Sequence, residues 1–234
     1  MLIRSVIFYF LIYLWTILLG FLCLPYLLMP SRFIRRLAIL WIDGILLFLK
    51  IVCKIDYEII GLENIPKHPS IIASKHQSTF ETLLLFKVIK NSIFIHKKEL
   101  FYIPIFGLYL KKINMISINR AEGSKSMRKM LNKVKQNINN GFSIIIFPEG
   151  TRKKPGQIAE YKTGIAGIYK ESETSVLPVA VNSGIYWPKN TFIKKSGKII
   201  IKLLKPLPPK LKKSDFLKKI ELDIESETNK IIKF

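Results

Sequence analysis

Two short segments carry residue types that could do chemistry. The first is Ser74-Lys75-His76-Gln77-Ser78-Thr79-Phe80-Glu81, where a histidine precedes a glutamate by five positions. An imidazole whose one nitrogen is bonded to a carboxylate has a fixed tautomer, and its other nitrogen is free to take a proton from a hydroxyl. On a continuous helix five positions turn about 500°, leaving the two side chains about 140° apart. The pair therefore meets only if His76 precedes a helix and Glu81 lies in its first turn. The same letters admit a purely structural reading, because Ser78-Thr79-Phe80-Glu81 also fits a capping box, in which the acid satisfies a backbone N–H at the helix start.

The second segment is Phe147-Pro148-Glu149-Gly150-Thr151-Arg152, which follows an apolar run directly. Its glycine permits close backbone approach and its arginine suits a phosphate; the bland alternative is an ordinary turn with a solvated charge. Ser74 and Ser78 flank His76, yet no G-x-S-x-G elbow occurs in the chain, which argues against a covalent acyl-serine. His68 and His96 stand without a partner at metal-ligand spacing, so no metal is expected.

These segments need elements to hold them. Residues 57–61 alternate like a strand, Pro66 and Pro69 punctuate a loop, and residues 70–74 form a short apolar strand ahead of His76. A helix is expected over 78–90, a strand over 92–96, a helical stretch over 106–111 and a strand over 115–118. An amphipathic helix over 125–139 ends at Asn140-Gly141, and a buried strand over 143–147 runs into the second segment. A helix over 159–169, strands over 176–181 and 198–204, and an exposed closing helix over 214–232 complete the pattern. Strands alternating with helices predict an α/β fold, a mixed central sheet flanked by helices.

Ahead of that domain, residues 5–29 contain no charge, and roughly 20 helical residues suffice to cross a hydrocarbon core. The run continues past Pro25 without a small-residue cleavage site, unlike a secretory signal. Residues 33–55 are apolar again but carry Asp43, Gly44 and Lys50, which favours an amphipathic or re-entrant helix over a second full crossing. The chain thus divides into a two-helix membrane anchor, residues 1–56, and an acting domain, residues 57–234. Arg32, Arg35 and Arg36 follow the first run while only Arg4 precedes it, which places that domain on the cytoplasmic side.

Charge narrows the partners. Lys and Arg total 38 against 16 Asp and Glu, a net charge of +22. Anionic headgroups and nucleic-acid phosphates would both attract it. A general excess of Lys accounts for part of it. The charge is spread through helices and linkers, without aromatic and basic interleaving or a nucleic-acid fold signature, so a lipid surface is favoured and nucleic acid is not. Cys23 and Cys53 both sit in apolar runs and make no disulfide framework, as suits a reducing compartment.

Together the His76…Glu81 and Phe147–Arg152 segments resemble the glycerolipid acyltransferase family, whose members include 1-acylglycerol-3-phosphate acyltransferases. The family pairs a His-x4-Asp motif with a Phe-Pro-Glu-Gly-Thr-Arg block; here the block is matched letter for letter and Glu81 stands in place of the Asp. Weaker blocks follow the same order: Lys97-Lys98-Glu99-Leu100 through Pro104 and Gly107 to Ile118-Asn119-Arg120, then residues 176–181. The resemblance implies His76 as general base oriented by Glu81, acting on the sn-2 hydroxyl of 1-acyl-glycerol-3-phosphate to give phosphatidic acid. It also implies Lys97, Arg120 and Arg152 as phosphate contacts, with Glu149, Gly150 and Thr151 completing that wall. No cofactor is expected beyond a thioester co-substrate, acyl-CoA or acyl carrier protein. The implied setting is a bacterial-type inner membrane. The rival readings are another acceptor, glycerol 3-phosphate or a different lysophospholipid, and a non-catalytic basic protein tethered to the membrane.

Overall fold

The computed structural model describes residues 1–118, 123–157 and 160–232. Its centre is a seven-stranded sheet of β1 (Ile55–Ile60), β2 (Ile71–Ser74), β3 (Ser92–Lys97), β4 (Ile116–Ile118), β5 (Ser143–Ile146), β6 (Val176–Val181) and β7 (Gly197–Leu203). The spatial order is β1-β7-β6-β2-β5-β3-β4. Strands β6, β2, β5, β3 and β4 run parallel, β7 is antiparallel to β6, and β1 is parallel to β7, so the sheet is mixed as the pattern of elements predicts. β2 and β6 are buried at every position, the mark of strands covered on both faces.

Eight helices are described: α1 (Leu2–Leu22), α2 (Ser31–Cys53), α3 (Phe80–Val88), α4 (Phe106–Lys112), α5 (Gly123–Asn139), α6 (Gly164–Ser172), α7 (Ser183–Tyr186) and α8 (Lys213–Ile232). Among the described residues α1 alone is long and apolar enough to cross a membrane. It stops at Leu22, short of the Met29 expected from hydropathy. Pro25 lacks the N–H a continuing helix requires, and residues 24–28 tighten into a 3-10 turn instead.

Helix α2 belongs to the same apolar core as the sheet: Ile34, Ile42, Ile45, Leu46, Leu49 and Cys53 are buried there. Its charges are spoken for. Asp43 pairs with Lys87 of α3, and Lys50 with Asp56 at the start of β1. Arg35 donates to the Ser92 carbonyl at 2.7 Å. Helix α1 lies on α2 so closely that a Cβ at Gly44 would meet the Trp15 indole at 2.3 Å. The two helices exchange indole bonds, Trp15 Nε1 donating to the Trp41 carbonyl at 3.1 Å and Trp41 Nε1 to Thr16 Oγ1 at 2.9 Å.

Two expectations require correction. The helix expected to begin at Ala159 begins at Gly164 instead; Ala159 itself lies outside the described residues. The closing helix is not an exposed one. Phe216, Ile220, Ile224, Thr228 and Ile231 recur at helical spacing and are all buried, so α8 seals one face of the sheet. Its lysines and glutamates mask this stripe when the sequence is read for polarity alone. Phe216 is fully buried and stacks on Tyr169 with ring centroids 3.9 Å apart. Replacing it with alanine should therefore cost about 3 to 5 kcal/mol, read as a lowered denaturation midpoint, whereas Leu222→Ala on the exposed face should cost little.

Candidate active site

Ligand sites in open α/β sheets gather at the carboxyl ends of the strands. Here three neighbouring parallel strands, β6, β2 and β5, deliver Ser183, the Lys75-His76 pair and the Phe147–Arg152 block to one edge. Extending the β2–β5 register from Ala73↔Ile146 puts His76 level with Glu149.

His76 leaves β2 in a loop that ends at α3, and Glu81 sits in the first turn of that helix. The two side chains meet: Nδ1 of His76 lies 2.9 Å from Oε1 of Glu81. The same oxygen accepts the backbone N–H groups of Gln77 and Ser78, each at 2.7 Å, while Oε2 accepts the Ser183 hydroxyl at 2.6 Å. Since Oε1 is already an acceptor twice over, the third bond needs its proton on Nδ1, which leaves Nε2 with a lone pair. The capping-box contact and the orienting contact are thus made by one atom. Ser78 Oγ completes the helix start by accepting the Phe80 N–H at 3.1 Å. Glu81 is fully buried, whereas the His76 side chain keeps 16% exposure, so the imidazole opens to the outside and its partner does not.

The second segment grips the histidine backbone. Glu149 Oε1 accepts the His76 N–H at 2.8 Å, and the Lys153 N–H donates to the His76 carbonyl at 2.8 Å. Phe147 stacks on the imidazole with centroids 3.8 Å apart and planes 14° from parallel. Gly150 takes a positive φ of 68°, a turn that a side chain would strain. Thr151 is exposed and accepts from Lys189 Nζ at 3.3 Å; Arg152 donates to Thr79 Oγ1 at 3.2 Å, its guanidinium half-buried beside the histidine loop. Lys97 ends β3, exposed, two strands from β2 and roughly 10 Å across the sheet. Arg120 lies outside the described residues.

Glu149 was expected to join the phosphate wall, but its side chain points inward and is only 2% exposed as a residue. Burial raises its carboxyl to about 7, against the pull of Lys75 and the His76 N–H. Several further members are invisible to local pattern. Lys75 is buried and reaches Glu225 of α8 at 2.7 Å; Gln77 Oε1 accepts the Gly184 N–H at 3.1 Å; Tyr161 donates to Glu225 at 3.0 Å. Their partners are 64 to 150 positions away in the chain, out of reach of any local pattern. Among the described residues no three His, Cys, Asp or Glu side chains come together as a metal site would require.

The family model described as Acyltransferase matches residues 56–182 of this chain. The chain belongs to the acyltransferase family. This acyltransferase is 35% identical to the 1-acyl-sn-glycerol-3-phosphate acyltransferase of Pseudomonas aeruginosa, over 84% of its own length and 77% of the relative's. It is 27% identical to the enzyme of the same name from Saccharomyces cerevisiae, over 68% of its length but only 54% of the yeast chain. A crystal structure described as the 1-acyl-sn-glycerophosphate (LPA) acyltransferase of Thermotoga maritima has the same fold, with a TM-score of 0.80 at 22% identity, covering 98% of this chain and 96% of that one.

Two outcomes follow from the site's geometry. Ser183→Ala removes one acceptor bond from a fully buried carboxylate, which costs about 1 to 3 kcal/mol, and the loss should appear in the unfolding free energy. Glu149 binds its proton more tightly folded than unfolded. Its stabilising contribution is complete below its ordinary value of 4.5 and is lost as pH rises to about 7. Denaturant titrations should show stability falling over that window in the wild type, and a flatter profile in Glu149→Gln.

Proposed function

We propose that this acyltransferase moves a fatty acyl group from a thioester to the sn-2 hydroxyl of 1-acyl-glycerol-3-phosphate, yielding phosphatidic acid for phospholipid synthesis. The observation that carries the reading is the His76–Glu81 pair, with Nδ1 held at 2.9 Å by a buried carboxylate on an imidazole side chain that keeps 16% exposure. The names of the bacterial and yeast relatives support the acceptor.

In this reading Nε2 takes the proton of the acceptor hydroxyl as its oxygen attacks the thioester carbonyl. The tetrahedral intermediate collapses, the carbon–sulfur bond breaks, and the imidazolium returns the proton to the departing thiolate. Products are the ester and a free thiol, without an acyl-enzyme and without a metal or cofactor. Glu81 stabilises the imidazolium while it lasts. Arg152, Lys97 and Arg120 hold the acceptor phosphate, Arg152 by its fork and Lys97 as a point charge, with Gly150 and Thr151 at the turn beside Arg152. Lys189, 3.3 Å from Thr151, joins this basic rim.

The acyl chain has a place to go. An apolar cavity of about 290 Å³ lies among α1, α2, α3 and α4, with Trp41, Leu83, Phe86, Phe94, Phe106 and Met115 in its wall. Phe94 stacks on Phe147, and Phe147 on His76, so a chain of aromatic contacts links the cavity wall to the imidazole. Residues 1–56 act as the anchor and residues 57–234 as the acting domain. With Arg32, Arg35 and Arg36 behind α1, the site faces the cytoplasm at the inner membrane.

The test is thiol release in detergent micelles with lysophosphatidate, offering acyl-CoA and acyl carrier protein thioesters separately. Wild type should release thiol only when acceptor is present, and His76→Ala should lose at least about a hundredfold. Glu81→Asp should keep part of the rate and Glu81→Ala very little, with both still associated with membranes. Equal turnover by wild type and His76→Ala would overturn the mechanism, and turnover with glycerol 3-phosphate alone would replace the acceptor.

A further inference from the structure

One cluster of buried charge has no part in the proton transfer. The Lys75 side chain is 2% exposed, and its ammonium lies 2.7 and 2.9 Å from the two carboxylate oxygens of Glu225 and 3.5 Å from Oε2 of Glu149. Glu149 Oε1 is the acceptor for the His76 N–H, at 2.8 Å. Tyr161 steadies the far end, its hydroxyl donating to Glu225 Oε1 at 3.0 Å. Burial and the adjacent Glu225 carboxylate push the Tyr161 hydroxyl well above its ordinary value, so it stays a donor. A line of polar contacts therefore runs from the middle of α8 to the backbone of the histidine, its Lys75–Glu149 step an ion-pair approach at 3.5 Å without a hydrogen bond.

Burying an ammonium costs several kcal/mol, and an apolar side chain of similar size would fill the space at less expense. Such a group persists where it fixes one arrangement of its surroundings, and here what it fixes is the Glu149 carboxylate. That carboxyl faces away from any phosphate at the rim: it is buried, with Oε1 on the His76 N–H and Oε2 3.5 Å from the Lys75 ammonium.

We propose that Lys75 of the histidine loop and Glu225 of α8 are positioning residues, which hold Glu149 on the His76 N–H and thereby set the imidazole from the carboxyl-terminal helix. The proposal rests on the reading of His76 as the base. An error in the aim of that base lowers turnover without loosening the acceptor. The two roles of Glu149 are therefore separable in kcat and KM.

The experiment compares Glu225→Gln, Glu149→Gln and the double variant in full-length protein, measuring kcat, KM for lysophosphatidate and the thermal midpoint. Glu225→Gln preserves size on a side chain that is 23% exposed. It should lower kcat about tenfold with KM within about twofold of wild type. The double variant should lose no more than Glu149→Gln alone, since both act through one contact. Should Glu225→Gln lower the midpoint too far to be assayed, Tyr161→Phe removes only the hydroxyl that steadies Glu225, and it should give a smaller loss of kcat at unchanged KM. The proposal is overturned if Glu225→Gln, or Tyr161→Phe in its place, leaves kcat unchanged. It is overturned equally if the two losses multiply, or if Glu149→Gln raises KM while sparing kcat. Activity persisting in His76→Ala would instead sink the parent reading, which the same assay separates.

Discussion

A negative charge shut away from water is the constraint on which this molecule is organised. Glu81 has no exposed surface, and an unpaired carboxylate in that position would cost several kcal/mol, a large share of the stability of a typical domain. Four donors answer it: the imidazole, two backbone N–H groups of the loop that carries the imidazole, and the Ser183 hydroxyl. The loop between β2 and α3 has to fold tightly around its own glutamate, and that folding is what turns the histidine outward. Ser183 can contribute because β6 is a direct neighbour of β2 in the sheet, although 102 positions separate Ser183 from Glu81. Satisfying the buried Glu81 and aiming His76 are a single structural act.

The same economy governs the strand on the other side. β5 supplies Phe147 to the face of the imidazole, Glu149 to its N–H and the N–H of Lys153 to its carbonyl. Residues that hold His76 and residues that reach the rim share one stretch of chain, and the positive φ of Gly150 separates their directions. Residues before the glycine turn inward, and those after it reach the rim.

How much of this could be read from the letters depends on range. The helices and the parallel strands follow hydrophobic period, and the Phe147–Arg152 block lies where a buried strand breaks off. His76 and Glu81 were legible as a pair because helix geometry allows five-residue spacing only across a helix start, which is where the structure has them. Ser183, Lys75, Glu225 and Tyr161 were not legible, because their association is decided by strand order and by how α8 docks. The exposed character expected of α8 shows the same limit: its five buried positions are a minority among charged neighbours, and one of them is a threonine. Near the amino terminus, composition registered an uncharged run but could not weigh Pro25, whose missing N–H ends the helix early.

The pairing of Lys75 with Glu225 spans 150 positions and joins the second strand of the sheet to the last helix. Contacts of such separation form late in folding, because closing the intervening loop has to be offset by packing that already exists. A nascent chain leaving the ribosome carries His76, Glu81 and the apolar helix α1 long before Glu225 has been made. Until α8 is made, the ammonium of Lys75 lacks its nearest carboxylate partner. The order of synthesis thus leaves this edge of the sheet to be completed last.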